Sequence, residues 1–165
     1  MTRLASLLWA VAIAVAVFFF DQGVKSLIEG SLRVGQSISL VPGFLDLTYI
    51  KNDGGAFGIL GGSRLLLLAG SAVAVVVVLW LLFSGRPTRL ATIGGGLILG
   101  GAAGNLLDRL GSGEVTDYVH FSFWYIFNAA DAAIVVGVGL LLLSAFRPEP
   151  LNRRPPVDEE QRMKG

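Results

Sequence analysis

The sequence predicts an all-α polytopic membrane protein of four transmembrane helices carrying a small extracytoplasmic β-structure. Three observations lead there. Hydrophobic residues make up 53% of the 165 and mean hydropathy is +0.69, well above a soluble norm. Four apolar runs approach the roughly 20 residues needed to cross about 30 Å of hydrocarbon. The stretch between the first two runs alternates in the manner of strands rather than helices.

The apolar runs are Leu4 to Phe20, Leu65 to Phe83, Leu90 to Leu107 and Ile126 to Phe146. The first has a second reading, a cleaved signal peptide, from Arg3, an apolar core and "AVA" at Ala14 to Ala16. Against that reading, the run continues through "VFFF" and a helical charge pair follows at once. Retaining it gives four spans, which puts both termini on one side. Arg3, Arg86, Arg89, Arg147, Arg153, Arg154, Arg162 and Lys164 are eight of the thirteen basic residues, so their segments are expected in the cytoplasm. The proline-rich, charged tail over 147–165 reads as a disordered cytoplasmic end, leaving 1–146 as one integral-membrane domain.

On the opposite side, "LDLTYIK" from Leu45 alternates apolar and polar residues, and "NDGG" from Asn52 is a turn signal. A β-structure on the membrane surface is therefore expected to begin near Gln36. Some function classes are excluded by composition. A net charge of +1 leaves no basic excess for nucleic acid. No cysteine is present, so there is no disulfide, thiolate nucleophile or Cys-based metal site, and a single histidine, His120, precludes a multi-histidine centre.

Ionisable groups at membrane depth are expensive and so mark function by default. Asp21 and Lys25 stand at i and i+4 at the outer end of the first run, placed to pair. Asn105, Asp108 and Arg109 end the third run, Asp117 follows in a short outer connection, and Asn128 with Asp131 opens the fourth run. In the four-span topology all reach one depth. Each also has a plain structural reading: an interfacial ion pair for Asp21 and Lys25, a capping box for "NAAD", a turn for "NDGG", a membrane-edge pair for Asp108 and Arg109. His120 and the aromatics Phe121, Phe123, Trp124, Tyr125 and Phe127 read as interfacial side chains. Gly96, Gly100 and Gly104 give the third run a small-residue face suited to close helix approach.

Two carboxylates a few ångströms apart cannot both ionise cheaply, so one keeps a proton while the other serves as base. Such a pair activates water against an amide without a Ser or Cys nucleophile, and the protonated partner hydrogen-bonds the developing oxyanion. Asp117 and Asp131, with 13 residues between them, can return to one face across a turn.

"DQGVK" from Asp21, "NDGGAFG" from Asn52, "GGAAGNLLDRLGSGEVTDY" from Gly100 and "FNAAD" from Phe127 together resemble, in order, the four motif regions of the lipoprotein signal peptidases, or signal peptidase II. The resemblance implies a bacterial aspartic endopeptidase of the cytoplasmic membrane that cuts prolipoproteins on the amino side of a diacylglyceryl cysteine. It implies Asp117 and Asp131 as the catalytic pair, with Asn52, Asn105, Arg109 and Asn128 orienting the substrate and the pair, and Asp21 and Lys25 supporting the site. It further implies four membrane helices with an extracytoplasmic β-cradle (within about 32–60 here), and inhibition by globomycin. No metal or organic cofactor is implied, and nothing demands more than a monomer in contact with membrane lipid. Departures stand at Gly55, where the family has alanine, at Thr116 and Tyr118 in "VTDY", where it has a Val-Val-Asp-Phe-like segment, and in a short stretch between the two aspartates. Rival readings are a small proton-coupled transporter and a noncatalytic assembly subunit; the first expects charges along the membrane normal, and none occurs in the inner halves of the runs.

Overall fold

The computed structural model describes residues 2–53, 76 and 88–146. The Thr2 hydroxyl accepts the Ala5 N–H at 3.2 Å and opens helix α1, Arg3–Ser31. A hairpin follows, β1 at Ser37–Val41 and β2 at Leu45–Asn52. Helix α2, Arg89–Gly111, begins on the Thr88 cap, strand β3 spans Val115–Phe121, and helix α3 runs from Ala129–Ala145. The second apolar run, Leu65 to Phe83, lies outside the described residues except for helical Val76, as do Gly54 and Gly55 of the turn signal and the tail from 147.

Helices α1 and α2 are long and apolar enough to cross a membrane, and α3 is a shorter apolar helix of 17 residues. The apolar run of the first segment ends at Phe20, yet α1 continues to Ser31. Asp21 and Lys25 do not end the helix because both turn inward and pair there, at 0% and 3% exposure. Leu4, Leu8, Val11, Val15 and Phe19 instead point outward, the reverse of a soluble helix. Hydrocarbon is the solvent that makes such a face inexpensive.

Glycine in α2 sets how near the helices come. A Cβ at Gly100 would lie 2.5 Å from the Ala14 carbonyl of α1, and one at Gly101 would strike the Ala130 carbonyl of α3. Adjacent glycines thus serve opposite neighbours, and α2 is held between α1 and α3. Each close approach lets backbone pack on backbone, as small-residue helix interfaces do.

The sheet is antiparallel in the order β1-β2-β3. Its second strand falls where the alternation places it and its first begins beside Gln36 as expected, but the third comes from the segment read as a short connection. Val115–Phe121 pairs with β2, Ile50 opposite Asp117 and Lys51 opposite Thr116. The β-branched and aromatic residues at 115, 116, 118 and 119 favour that extended state. A cluster of Ile28, Leu32, Tyr49 and Tyr118 then packs the sheet onto the end of α1, with Ala129 at its edge. Through it the sheet, α1 and the start of α3 share one apolar contact.

Candidate active site

Asp117 lies mid-strand in β3 and is 2% exposed. A buried carboxylate needs donors, and two amides supply them. Asn52 Nδ2, at the end of β2, donates to Oδ2 at 2.8 Å, and Asn128 Nδ2 donates to Oδ1 at 2.7 Å. Burial, together with the nearby negative charge of Asp131, outweighs these donors and pushes Asp117 up to about 6.

Asp131 is set by the start of α3. Asn128 is the N-cap, and its side-chain oxygen accepts the Asp131 N–H at 2.9 Å while Asp131 Oδ2 accepts the Asn128 N–H at 3.3 Å. Asn105 Nδ2 of α2 donates to the other oxygen, Oδ1, at 2.7 Å. The capping-box reading of "NAAD" is therefore correct, and it does not compete with a site. One amide caps the helix with its oxygen and holds Asp117 with its nitrogen.

Behind the two aspartates sits a buried cation. Lys25 Nζ lies 2.7 Å from Asp21 Oδ2 and 2.7 Å from Asp108 Oδ2, and donates to Asn105 Oδ1 at 3.0 Å. That last bond, with one from Asn128 Nδ2 at 3.1 Å, fixes which end of the Asn105 amide faces Asp131. Asp21 Oδ1 in turn accepts the Ala130 N–H at 3.0 Å, tying α1 to the first turn of α3. Gly104 makes room for this, since a Cβ there would sit 2.5 Å from Asp21 Oδ2.

The structure thus gathers Asp21, Lys25, Asn52, Asn105, Asn128, Asp117 and Asp131 into one network. Arg109 stands half-buried in the last turn of α2, one turn beyond Asn105. Sequence reasoning left three contributors without a site role. Asp108 pairs with Lys25 instead of serving only as a neighbour of Arg109, and Gln22 Nε2 donates to Asp108 Oδ1 at 3.0 Å. Tyr118 Oη accepts the Ala129 N–H at 3.1 Å. Spacing could have flagged Gln22, which follows Asp21 on the same inward-facing turn; the other two needed the fold. A cavity of about 370 Å³, lined by Ile50, Asn52, Asp53, His120, Trp124 and Tyr125 among others, lies beside the Asn52 contact to Asp117.

Helices with outward apolar faces around a buried polar network define the class, a membrane protein. Two solved structures share the fold, both described as a bacterial membrane enzyme determined by the in meso method. One has a TM-score of 0.77 at 28% identity, covering 85% of this chain and 94% of that one; the other has 0.76 at 29%, covering 82% and 86%. The family model described as Signal peptidase (SPase) II matches residues 13–147, and the chain belongs to that family. Relatives named lipoprotein signal peptidase include that of Halothermothrix orenii, 39% identical over 83% of this chain and 94% of its own. That of Desulfitobacterium hafniense strain DCB-2 is 43% identical over 77% and 85%, and that of Brevibacillus brevis 40% over 88% and 100%.

Proposed function

We propose that this chain is an aspartic endopeptidase which removes signal peptides from diacylglyceryl-modified prolipoproteins, cutting on the amino side of the lipidated cysteine. The observation that carries the mechanism is the bridging of Asp117 and Asp131 by one amide, Asn128. Family membership and the names of the relatives support the substrate.

In this mechanism Asp117 is the carboxyl that holds the shared proton, in keeping with the upward direction in which burial and the charge of Asp131 push it. Asp131, in the first turn of α3, sits where the helix dipole favours negative charge and acts as base toward water. The hydroxide formed attacks the scissile carbonyl, whose oxygen takes a hydrogen bond from the Asp117 carboxylic acid. The proton taken up by Asp131 then passes to the leaving amine, and the carbon–nitrogen bond breaks. Asn52, Asn105 and Asn128 hold both carboxyls in place. Arg109 is assigned to orient the substrate backbone, as the family resemblance implies.

Acyl chains of the substrate anchor in the bilayer, with the signal helix lying against the apolar faces of α1–α3. Delivery at fixed depth lowers the entropic part of the barrier. The enzyme is placed in the bacterial cytoplasmic membrane as a multi-pass monomer, termini inside and the aspartates near the outer face. Globomycin-type cyclic peptides are its expected inhibitors, and no cofactor takes part.

The test replaces Asp117 or Asp131 with Asn in the full chain in lipid nanodiscs and follows cleavage of a diacylglyceryl prolipoprotein peptide. Each variant is expected to insert, to keep its helical signal, and to lose turnover by at least about a thousandfold. Wild-type turnover in either one overturns the mechanism.

A further inference from the structure

The first N–H groups of a helix have no partner within it, and each must find an acceptor or go without. In α3 the first three are taken by acceptors from three different places. Ala129 N–H donates to Tyr118 Oη of β3 at 3.1 Å, Ala130 N–H to Asp21 Oδ1 of α1 at 3.0 Å, and Asp131 N–H to the Asn128 cap at 2.9 Å. The start of α3 is therefore docked onto its neighbours by its own backbone. Asp131 is the last of those three residues.

Tyr118 follows Asp117 directly in β3, and successive side chains of a strand take opposite faces. Asp117 is turned to the amides, whereas the Tyr118 ring is 5% exposed and packs with Ile28, Leu32 and Tyr49. One dipeptide thus presents a carboxyl on one face and an anchor on the other. The backbone adds to this link. Tyr118 and Val119 N–H both donate to the Phe127 carbonyl, at 3.1 and 2.8 Å, and Phe127 N–H returns to Val119 O at 3.0 Å. Chain leaving β3 is so brought back beside it just before α3 begins. Burial pushes the phenol up to about 12, so the hydroxyl stays neutral and its role as acceptor is constant across working pH.

We infer that Tyr118 is a positioning residue for the aspartate pair: by accepting the Ala129 N–H it locks the first turn of α3 to β3, and thereby sets Asp131 relative to Asp117. This inference rests on the reading of the pair as catalytic. Phenylalanine, the residue of the family's corresponding segment, lacks only the phenolic oxygen, so the role is particular to this chain and separates cleanly from packing. Loss of the oxygen leaves Asp131 held by its cap, by Asn105 and by the Ala130 N–H to Asp21, but removes the one bond from the first turn of α3 to the Tyr118 side chain.

The experiment compares Tyr118→Phe, Tyr49→Phe and Asp117→Asn in nanodiscs, reading kcat and KM on the diacylglyceryl peptide and amide exchange at Ala129. Tyr118→Phe is expected to lower kcat about tenfold with KM within twofold, and to speed exchange at Ala129. Tyr49→Phe, a hydroxyl removed from the same apolar cluster, is expected to leave kcat within twofold. Should Tyr118→Phe fail to fold, Tyr118→Phe/Ala129→Pro removes donor and acceptor together, leaving no orphan N–H. Pro suits the first helical position, and Asn128 before it is already extended at φ −123° and ψ 179°. The double variant is expected to show the same tenfold loss. Wild-type kcat in either folded variant, or an equal loss in Tyr49→Phe, overturns the positioning role. Turnover retained by Asp117→Asn instead removes the catalytic reading, whatever Tyr118→Phe does.

Discussion

Asn128 Nδ2 lies 2.7 Å from Asp117 Oδ1 while its own side-chain oxygen caps the Asp131 N–H at 2.9 Å, so one amide serves both carboxyl residues. The two halves of that amide can be separated by substitution. Asn128→Ser keeps a capping oxygen, and Ser caps nearly as well as Asn. It loses the nitrogen, a hydrogen bond to a carboxyl worth about 1.5–3 kcal/mol. Turnover is expected to fall about tenfold to a hundredfold, and the melting temperature to drop with the lost bond. Asn128→Ala loses the cap as well and should be less stable than Asn128→Ser by about 1 kcal/mol. Paired thermal melts and single-turnover rates check both statements.

Lys25 is the cation for two buried carboxylates, Asp21 and Asp108, each at 2.7 Å. Lys25→Met fills similar space but strands both, and breaking a buried pair costs about 3–5 kcal/mol. Asp21→Asn/Lys25→Met/Asp108→Asn removes all three charges and should recover much of that loss. Denaturation in detergent micelles reads the stability, and a triple variant no more stable than Lys25→Met would contradict the pairing.

Asp117 gives the molecule a defined pH dependence. Its folded value of about 6 lies above the ordinary 3.8, so the folded state binds the proton more tightly than the unfolded chain. The stabilisation is fully present below about pH 3.8 and is lost as pH rises through about 6. Asp117→Asn should flatten the stability profile between pH 4 and 6. Melting temperatures across that range, with equal slopes in wild type and variant, would refute the assignment.

Much of the site was legible because residue type carries its chemistry locally. Aspartate, asparagine and lysine among apolar residues announce a cost that only partners can offset, and Asp21, Lys25, Asn105, Asn128, Asp117 and Asp131 do fall in one hydrogen-bonded network. Helical spacing also foretold the glycine face and the cap. The third strand was less legible. "VTDYVHF" has strand-forming residues, but its alternation is weak because Asp117 faces inward where a polar residue ordinarily marks the solvent side.

The sequence by itself determined which segments are apolar enough for lipid, where α3 starts, and which carboxyls are candidates for chemistry. These follow from hydropathy, period and capping, all properties of residues within a few positions of one another. Only the tertiary structure decided that β3 completes the sheet, that Lys25 answers Asp108 as well as Asp21, and that Tyr118 rather than water takes the Ala129 N–H. Such pairings join residues far apart in the chain. They are chosen by how closely glycine lets α1, α2 and α3 approach, and by the need of every buried donor for an acceptor once they have.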